Sequence, residues 1–285
     1  MFEKFARSWQ LIKASADVLR QDKELLVFPA VSAVAALLVA ATFVLPLFGL
    51  LDFKALEDGK GALPPWLYVW MFAFYLVQYF VIFYFNTALV GAAMIRLEGG
   101  DPTVADGLRI ARSKIGVILG YAAIAATVGI ILRAIEQRAG IIGQWVVGLI
   151  GAAWTVVSFL TVPVLVMRDV GPLDAVKESA RLLKTTWGEN VIGQGGVGLV
   201  FGLMQFLVIG LTVAAAGFMF AGKHVTLGFT AIGVGVIAMM GVALVQAALS
   251  GIYSAALYRH AAGLAPSPGF DGALMANAFA AKKKK

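Results

Sequence analysis

The chain has 285 residues, 60 % of them apolar and only 14 % charged, with a mean hydropathy of +0.87. A soluble domain carries about 25 % charge, so a water-exposed globule is excluded, and the formal net charge of +7 reads as topology signal and attraction to anionic headgroups rather than as nucleic-acid binding. Cysteine is absent, which excludes disulfides, thiolate chemistry and Cys-ligated metals.

About 20 mainly apolar residues cross roughly 30 Å of hydrocarbon. Six stretches reach that length, near residues 25–51, 64–93, 115–132, 141–167, 191–221 and 225–258. Ahead of the first, Phe2, Phe5, Trp9, Ile12, Ala16 and Leu19 recur at steps of three and four with basic residues between them. That predicts a helix with one apolar face, suited to lying in the headgroup plane. The first 24 residues carry five basic and four acidic side chains, a pattern unlike a cleavable signal peptide.

The first span contains Pro46, a kink position. The connection after it ends at Pro64-Pro65, a helix stop and restart. Span two carries eleven aromatics between Trp66 and Phe85, spread around the helix, together with Gln78, Asn86 and Thr87. Val104, Leu108, Ala111 and Ile115 then repeat the amphipathic spacing in a shorter form. Span three ends at Arg133 and Glu136, three residues apart and so placed for a local ion pair. Span four holds Gln144, Thr161 and the kink position Pro163, and Leu173, Val176, Ala180, Leu183 and Trp187 form a third amphipathic stripe.

Span five is dense in glycine, and Gly198 with Gly202 has the small-xxx-small spacing of close helix packing. It also carries Gln194 and Gln205. A turn at Gly222-Lys223-His224 leads to span six, with Gln246. Trp66, Trp70 and Trp145, near span ends, fit an interfacial belt. Residues 261–285 read as a flexible tail ending in four lysines, drawn to anionic lipid. The expected layout is one six-span membrane domain over 1–260 followed by that tail.

The gaps between spans are sorted by charge. The first, third, fifth and seventh hold 18 of the 23 Lys and Arg residues. This places both termini in the cytoplasm by the positive-inside rule. The expected fold is therefore all-α: three transmembrane hairpins, each preceded by a cytoplasmic amphipathic elbow helix, over residues 1–24, 101–114 and 172–190. Superposing the elbows brings Ser8, Leu11, Ile12, Lys13 and Ser15 onto Ser179, Leu182, Leu183, Lys184 and Thr186. Ile110, Ala111 and Arg112 fall on Leu11, Ile12 and Lys13. A threefold repeat and convergent amphipathic patterning both account for this register.

The stretches "FARSWQLIKASADVLRQDKELLVFP", "IFYFNTALVGAA", "DPTVADGLRIA", "AATVGIILRAIEQR" and "TVPVLVMRDVGPLDAVKESARLLKTTWGEN" resemble the signature segments of an uncharacterised prokaryotic six-span family, a domain of unknown function. The resemblance covers nearly the whole chain. Arg168 departs from it, standing where the family pattern has an acidic residue. A more distant likeness is to the membrane domains of some glycerophosphodiesterases. Their hydrolase domain has no counterpart in these residues, so the likeness implies no activity. What the resemblance implies is the fold and a bacterial inner-membrane location.

Chemistry is sparse. The span centres hold essentially no ionisable residue, which disfavours proton-coupled transport. His224 and His260 lie at opposite ends of span six and cannot share a metal. Glu178 and Glu189 are placed to pair with Arg181 or Lys184. No nucleophile–base set or metal cluster assembles, so neither enzyme activity nor a cofactor is expected. The leading expectation is a non-enzymatic membrane-organising or interaction protein. Its elbows would engage anionic lipid headgroups or a partner through Trp9, Lys13, Arg109, Arg112, Arg181, Lys184 and Trp187, with self-association as a further option. The rival is a channel or facilitator with an uncharged pathway along Gln78, Asn86, Gln194, Gln205 and Gln246; the same side chains serve equally as interhelical hydrogen-bonding groups. A membrane-embedded lipid enzyme would need a polar cluster that the residues do not supply.

Overall fold

The computed structural model describes residues 2–50, 64–187, 195–265 and 270. Apolar runs of this length satisfy their backbone polar groups only as helices within a bilayer, and helices account for almost all of the described chain. In order they are α1 (Phe2–Gln21), a 3-10 turn (Lys23–Leu26), α2 (Val27–Val44), α3 (Leu47–Leu50), α4 (Pro65–Leu97), α5 (Val104–Ser113), α6 (Ile115–Arg138), α7 (Ile141–Val157), α8 (Thr161–Met167), α9 (Pro172–Trp187), α10 (Gly195–Ala221) and α11 (Val225–Ala261). Six helical runs are long and apolar enough to cross a membrane: Lys23–Leu50, Pro65–Leu97, Ile115–Arg138, Gly143–Met167, Val200–Ala221 and Val225–Ala261. No strand occurs among the described residues. This is an all-helical protein of the membrane-spanning class.

Two helices outrun the apolar stretches that announce them. Span two continues to Leu97 and span six to Ala261, because hydropathy falls before helix propensity does. Both stop at a glycine in the left-handed region, Gly99 (φ 89°) and Gly263 (φ 69°). There the last carbonyls are capped, by Gly100 N–H to Ile95 O at 2.9 Å and Leu264 N–H to Arg259 O at 2.9 Å. Span four is interrupted at Ser158–Leu160, between α7 and α8. Pro163 is the cause: it lacks a donor, and its ring crowds the carbonyl four residues back, at Phe159. Pro46 likewise separates α2 from α3.

Helix α4 is the centre of the bundle, in contact with α2, α5, α6, α8 and α11. Its last third, Thr87 to Met94, is buried throughout, and so is Gly251 to Arg259 of α11. Small side chains permit this approach. A Cβ on Gly251 would meet Leu89 Cδ2 at 2.4 Å, and one on Gly107 would meet the Ala88 carbonyl oxygen at 2.6 Å. The glycine pair expected to pack does not. Within the chain, a Cβ on Gly198 or Gly202 would meet nothing within 4 Å. Contact between α10 and α11 uses Gly228 and Gly235 of α11 instead, against Phe220 and Thr212. Gly198 and Gly202 share the spacing but lie on the outward face of α10, which single-chain spacing does not reveal.

Candidate functional site

Most of the described charged residues gather at one end, where α1, α5 and α9 meet the ends of α4, α8 and α11. Part of the apolar stripe of each amphipathic helix packs on the protein itself. Ile12, Ala14, Val18 and Leu19 of α1, Ala111 of α5, and Ala175, Val176, Leu182 and Leu183 of α9 are all buried. Those residues are spent on the bundle, whereas Ile115 and Leu173 of the same stripes are 42 % and 54 % exposed, and the side chains of Phe2 and Phe5 lie outside the described residues. The outer faces carry charge: Lys13, Arg109, Arg112, Arg181 and Lys184 are exposed. Of the candidate surface, Arg109 pairs with Asp106 and Arg181 lies 3.8 Å from Glu178. The side chains of Trp9 and Trp187 lie outside the described residues.

Ion pairs between elements hold this end together. Arg259, 8 % exposed, donates to Glu98 at 2.6 Å and so ties α11 to the end of α4. Arg96 reaches Asp101 at 2.7 Å and Asp22 at 3.5 Å. Burial pushes the Asp22 carboxyl above the usual carboxylate range, and the Arg96 charge offsets part of that rise. Lys114 meets Asp169 at 3.3 Å. The Glu24 carboxylate accepts from the Val104 N–H at 3.1 Å, placing negative charge at the positive end of α5. That helix opens on a capping box, with Thr103 and Asp106 bonded reciprocally. These bonds hold the Asp106 carboxyl below its ordinary range, the Thr103 hydroxyl contributing most. The spacing Thr103-x-x-Asp106 is the sequence signal for this box, and the sequence reading missed it. Arg168, the residue out of family pattern, bridges Glu178 at 2.8 Å and the Tyr258 hydroxyl at 3.3 Å.

Ser179 of α9 repairs the break in span four. Its hydroxyl donates to Val157 O at 2.6 Å and accepts from Leu160 N–H at 3.0 Å. Two backbone groups released at the break, Val157 O and Leu160 N–H, are thereby satisfied.

Below the charged end lies a cavity of about 380 Å³. Its walls come from α2, α4, α6, the α7–α8 break and α11, and no charged side chain lines it. Asn86 projects from α4 among Ser32, Ser158 and Ser250, with aromatic walls from Phe83, Phe85, Tyr121 and Phe159. Of the four described residues of the expected polar pathway, Asn86 alone lines this cavity. Gln205 instead donates to Met239 O at 3.1 Å, an α10–α11 contact. Gln78 is half-buried, with its carbonyl oxygen unpartnered among the described residues. Gln246 is half-buried away from the cavity, and Gln194 lies outside the described residues.

The aromatics of span two are spread around the helix, but three of them form a series. Tyr75, Tyr79 and Phe83 stack in series along α4 and hand on to Tyr121 of α6, with ring centroids 6.4, 5.7 and 4.4 Å apart. At the far end Arg133 donates to the Tyr75 hydroxyl, not to Glu136, so it joins two helices instead of forming the expected local pair. Among the described residues no three His, Asp or Glu side chains gather closely enough to hold a metal ion.

Residues 66–267 match a family of unknown function, DUF6159. The chain belongs to that family. The DUF6159 match takes in all of α4 except its first residue and runs on through α11. It therefore includes every wall of the cavity except the two residues from α2, Pro29 and Ser32. The amino-terminal segment with α1 and α2 lies outside it, so the shared region is shorter than the resemblance implied. No curated protein matches the chain, and the likeness to glycerophosphodiesterase membrane domains gains no support.

Proposed function

We propose that this DUF6159 protein is a non-enzymatic interaction or organising protein of a bacterial inner membrane, with its charged end in the cytoplasm. The observation that carries this reading is the shared orientation of α1, α5 and α9. Each buries part of its apolar side in the bundle and turns Lys13, Arg112 and Lys184 outward at one end. Contact with lipid or partner is then led by these charges, since Ile12, Ala111 and Leu183 beside them are buried. A platform fixed by cross-element ion pairs holds its charges in place more firmly than mobile loops would.

The threefold elbow-and-hairpin arrangement belongs to this proposal. It is supported by the burial register, since Ile12, Ala111 and Leu183 are all buried and the residue after each is basic and exposed. Packing of α2 on α4, α6 on α7 and α10 on α11 agrees with it. The channel reading is not favoured, since one of its residues lines the cavity and Gln205 is spent on a helix contact.

The test uses the whole protein in vesicles of phosphatidylcholine with a minor fraction of phosphatidylglycerol. Spin-labelled phosphatidylglycerol is expected to concentrate around the protein several-fold over labelled phosphatidylcholine, less so at high salt. The triple variant Lys13→Glu, Arg112→Glu, Lys184→Glu is expected to lose the preference. Equal association of the two lipids with the unaltered protein would remove the lipid half of the proposal.

A further inference from the structure

The cavity holds polar groups without partners, in a place where water is scarce. The Asn86 carboxamide has the capacity for four hydrogen bonds, and it makes none among the described residues; neither do the hydroxyls of Ser32 and Ser250, which share its cavity. Ser158 and Ser254, by contrast, already donate to the carbonyls of Thr155 and Gly251. Polar groups at membrane depth are paired or line a cavity that supplies the partner. The unmet capacity is therefore concentrated on one wall, between α2, α4 and α11.

The position of the mouth indicates where a partner comes from. Ile82, Thr155 and Ala247 line the cavity and are exposed on the flank of the bundle. Ile82 lies fifteen residues before the end of α4 at Leu97, about 22 Å along a helix rising about 1.5 Å per residue. That depth is hydrocarbon, so the entrant is soluble in lipid. Its head is constrained by the walls. They contain no Lys, Arg or His, and a phosphate or carboxylate moved there would lose its hydration without a cation in return. The aromatic side of the cavity suits an apolar chain, and the volume falls within the range of small-ligand pockets, about 300–1,000 Å³.

We infer that the cavity binds one molecule of an uncharged lipid, with hydroxyl or ester oxygens at Asn86, Ser32 and Ser250 and its chain against Phe83, Phe85 and Phe159. This site is separate from the exposed charges of α1, α5 and α9.

The experiment uses the full chain in phosphatidylcholine nanodiscs with four photoreactive probes of matched chain length: a diacylglycerol, a prenyl alcohol, a fatty acid and a phosphatidylglycerol. Saturable labelling by an uncharged probe, mapped to the peptides around Asn86 and Ser250, is expected. The two uncharged arms separate ester-bearing from alcohol-bearing ligands. Asn86→Leu is expected to lower labelling several-fold with an unchanged melting temperature. Ala247→Phe, at an exposed rim position that tolerates bulk, is expected to block entry, and Asn86→Gln to retain binding. Labelling as strong with the anionic probes, labelling insensitive to both Asn86→Leu and Ala247→Phe, or no saturable labelling by an uncharged probe would each overturn the assignment.

Discussion

The inner part of α4 and α11 contrasts with the outer pair formed by α10 and the first half of α11. Both are strongly apolar. Near the charged end, "TALVGAAM" and "GIYSAALYR" are buried side by side. On α10, Leu203 is 59 %, Phe206 75 % and Phe218 76 % exposed, left uncovered by the rest of the described chain. Hydropathy does not separate the two regions, because lipid and protein core are equally apolar solvents. Close approach does: Gly251 of α11 is closed on by Leu89 of α4, whereas Gly202 of α10 has nothing within 4 Å of a Cβ placed there.

The sharpest way to break this contrast is to put the same substitution in both regions. Gly251→Leu drives a side chain into Leu89, and unfolding in mixed micelles is expected to become easier by about 3 kcal/mol or more. Gly202→Leu meets nothing within 4 Å and is expected to stay within about 0.5 kcal/mol of the parent. Equal costs would erase the distinction.

Arg259→Met comes next. It breaks a pair buried on the arginine side, and because Glu98 is half-exposed the loss is expected near the low end for such pairs, about 3 kcal/mol. Ser179→Ala strips partners from Val157 O and Leu160 N–H and is expected to cost about 2 kcal/mol in the same titration.

The smallest effect is expected from Thr103→Ala, about 1 kcal/mol at neutral pH through loss of the α5 cap. Its pH dependence has a definite sign. The folded Asp106 carboxyl titrates below its ordinary 3.8, so its contribution is present above that value and is lost as pH falls through the depressed one. Melting curves between pH 7 and about pH 3 should show the parent and Thr103→Ala converging at the acid end.

The six membrane-crossing helices were legible, because each is a long apolar run punctuated by Gly, Pro or charge. The helix ends at Gly99 and Gly263 were harder to place, since apolar character fades before those glycines. The break in span four was half legible: Pro163 signals a kink, but the hydroxyl that satisfies the break comes from Ser179, on another helix. The site was less legible still. Asn86 stood out as an amide in an aromatic span, whereas Ser32 and Ser250 are ordinary small residues until the fold brings them to the same wall. The small-residue spacing at Gly198 and Gly202 misled because spacing does not say which face of α10 meets α11.

Lys13, Arg112 and Lys184 are exposed while Ile12, Ala111 and Leu183 beside them are buried, and the proposed function requires all three basic residues to lie on one side of the membrane. The cysteine-free chain makes this directly measurable. Single cysteines at Lys13, Arg112 and Lys184, and at their neighbours Ile12, Ala111 and Leu183, can be challenged with a membrane-impermeant maleimide before and after cells are permeabilised. The first three should label only after permeabilisation, and the neighbours should stay unlabelled in both states. Labelling of the basic positions in intact cells, or equal labelling of the buried neighbours, would contradict it.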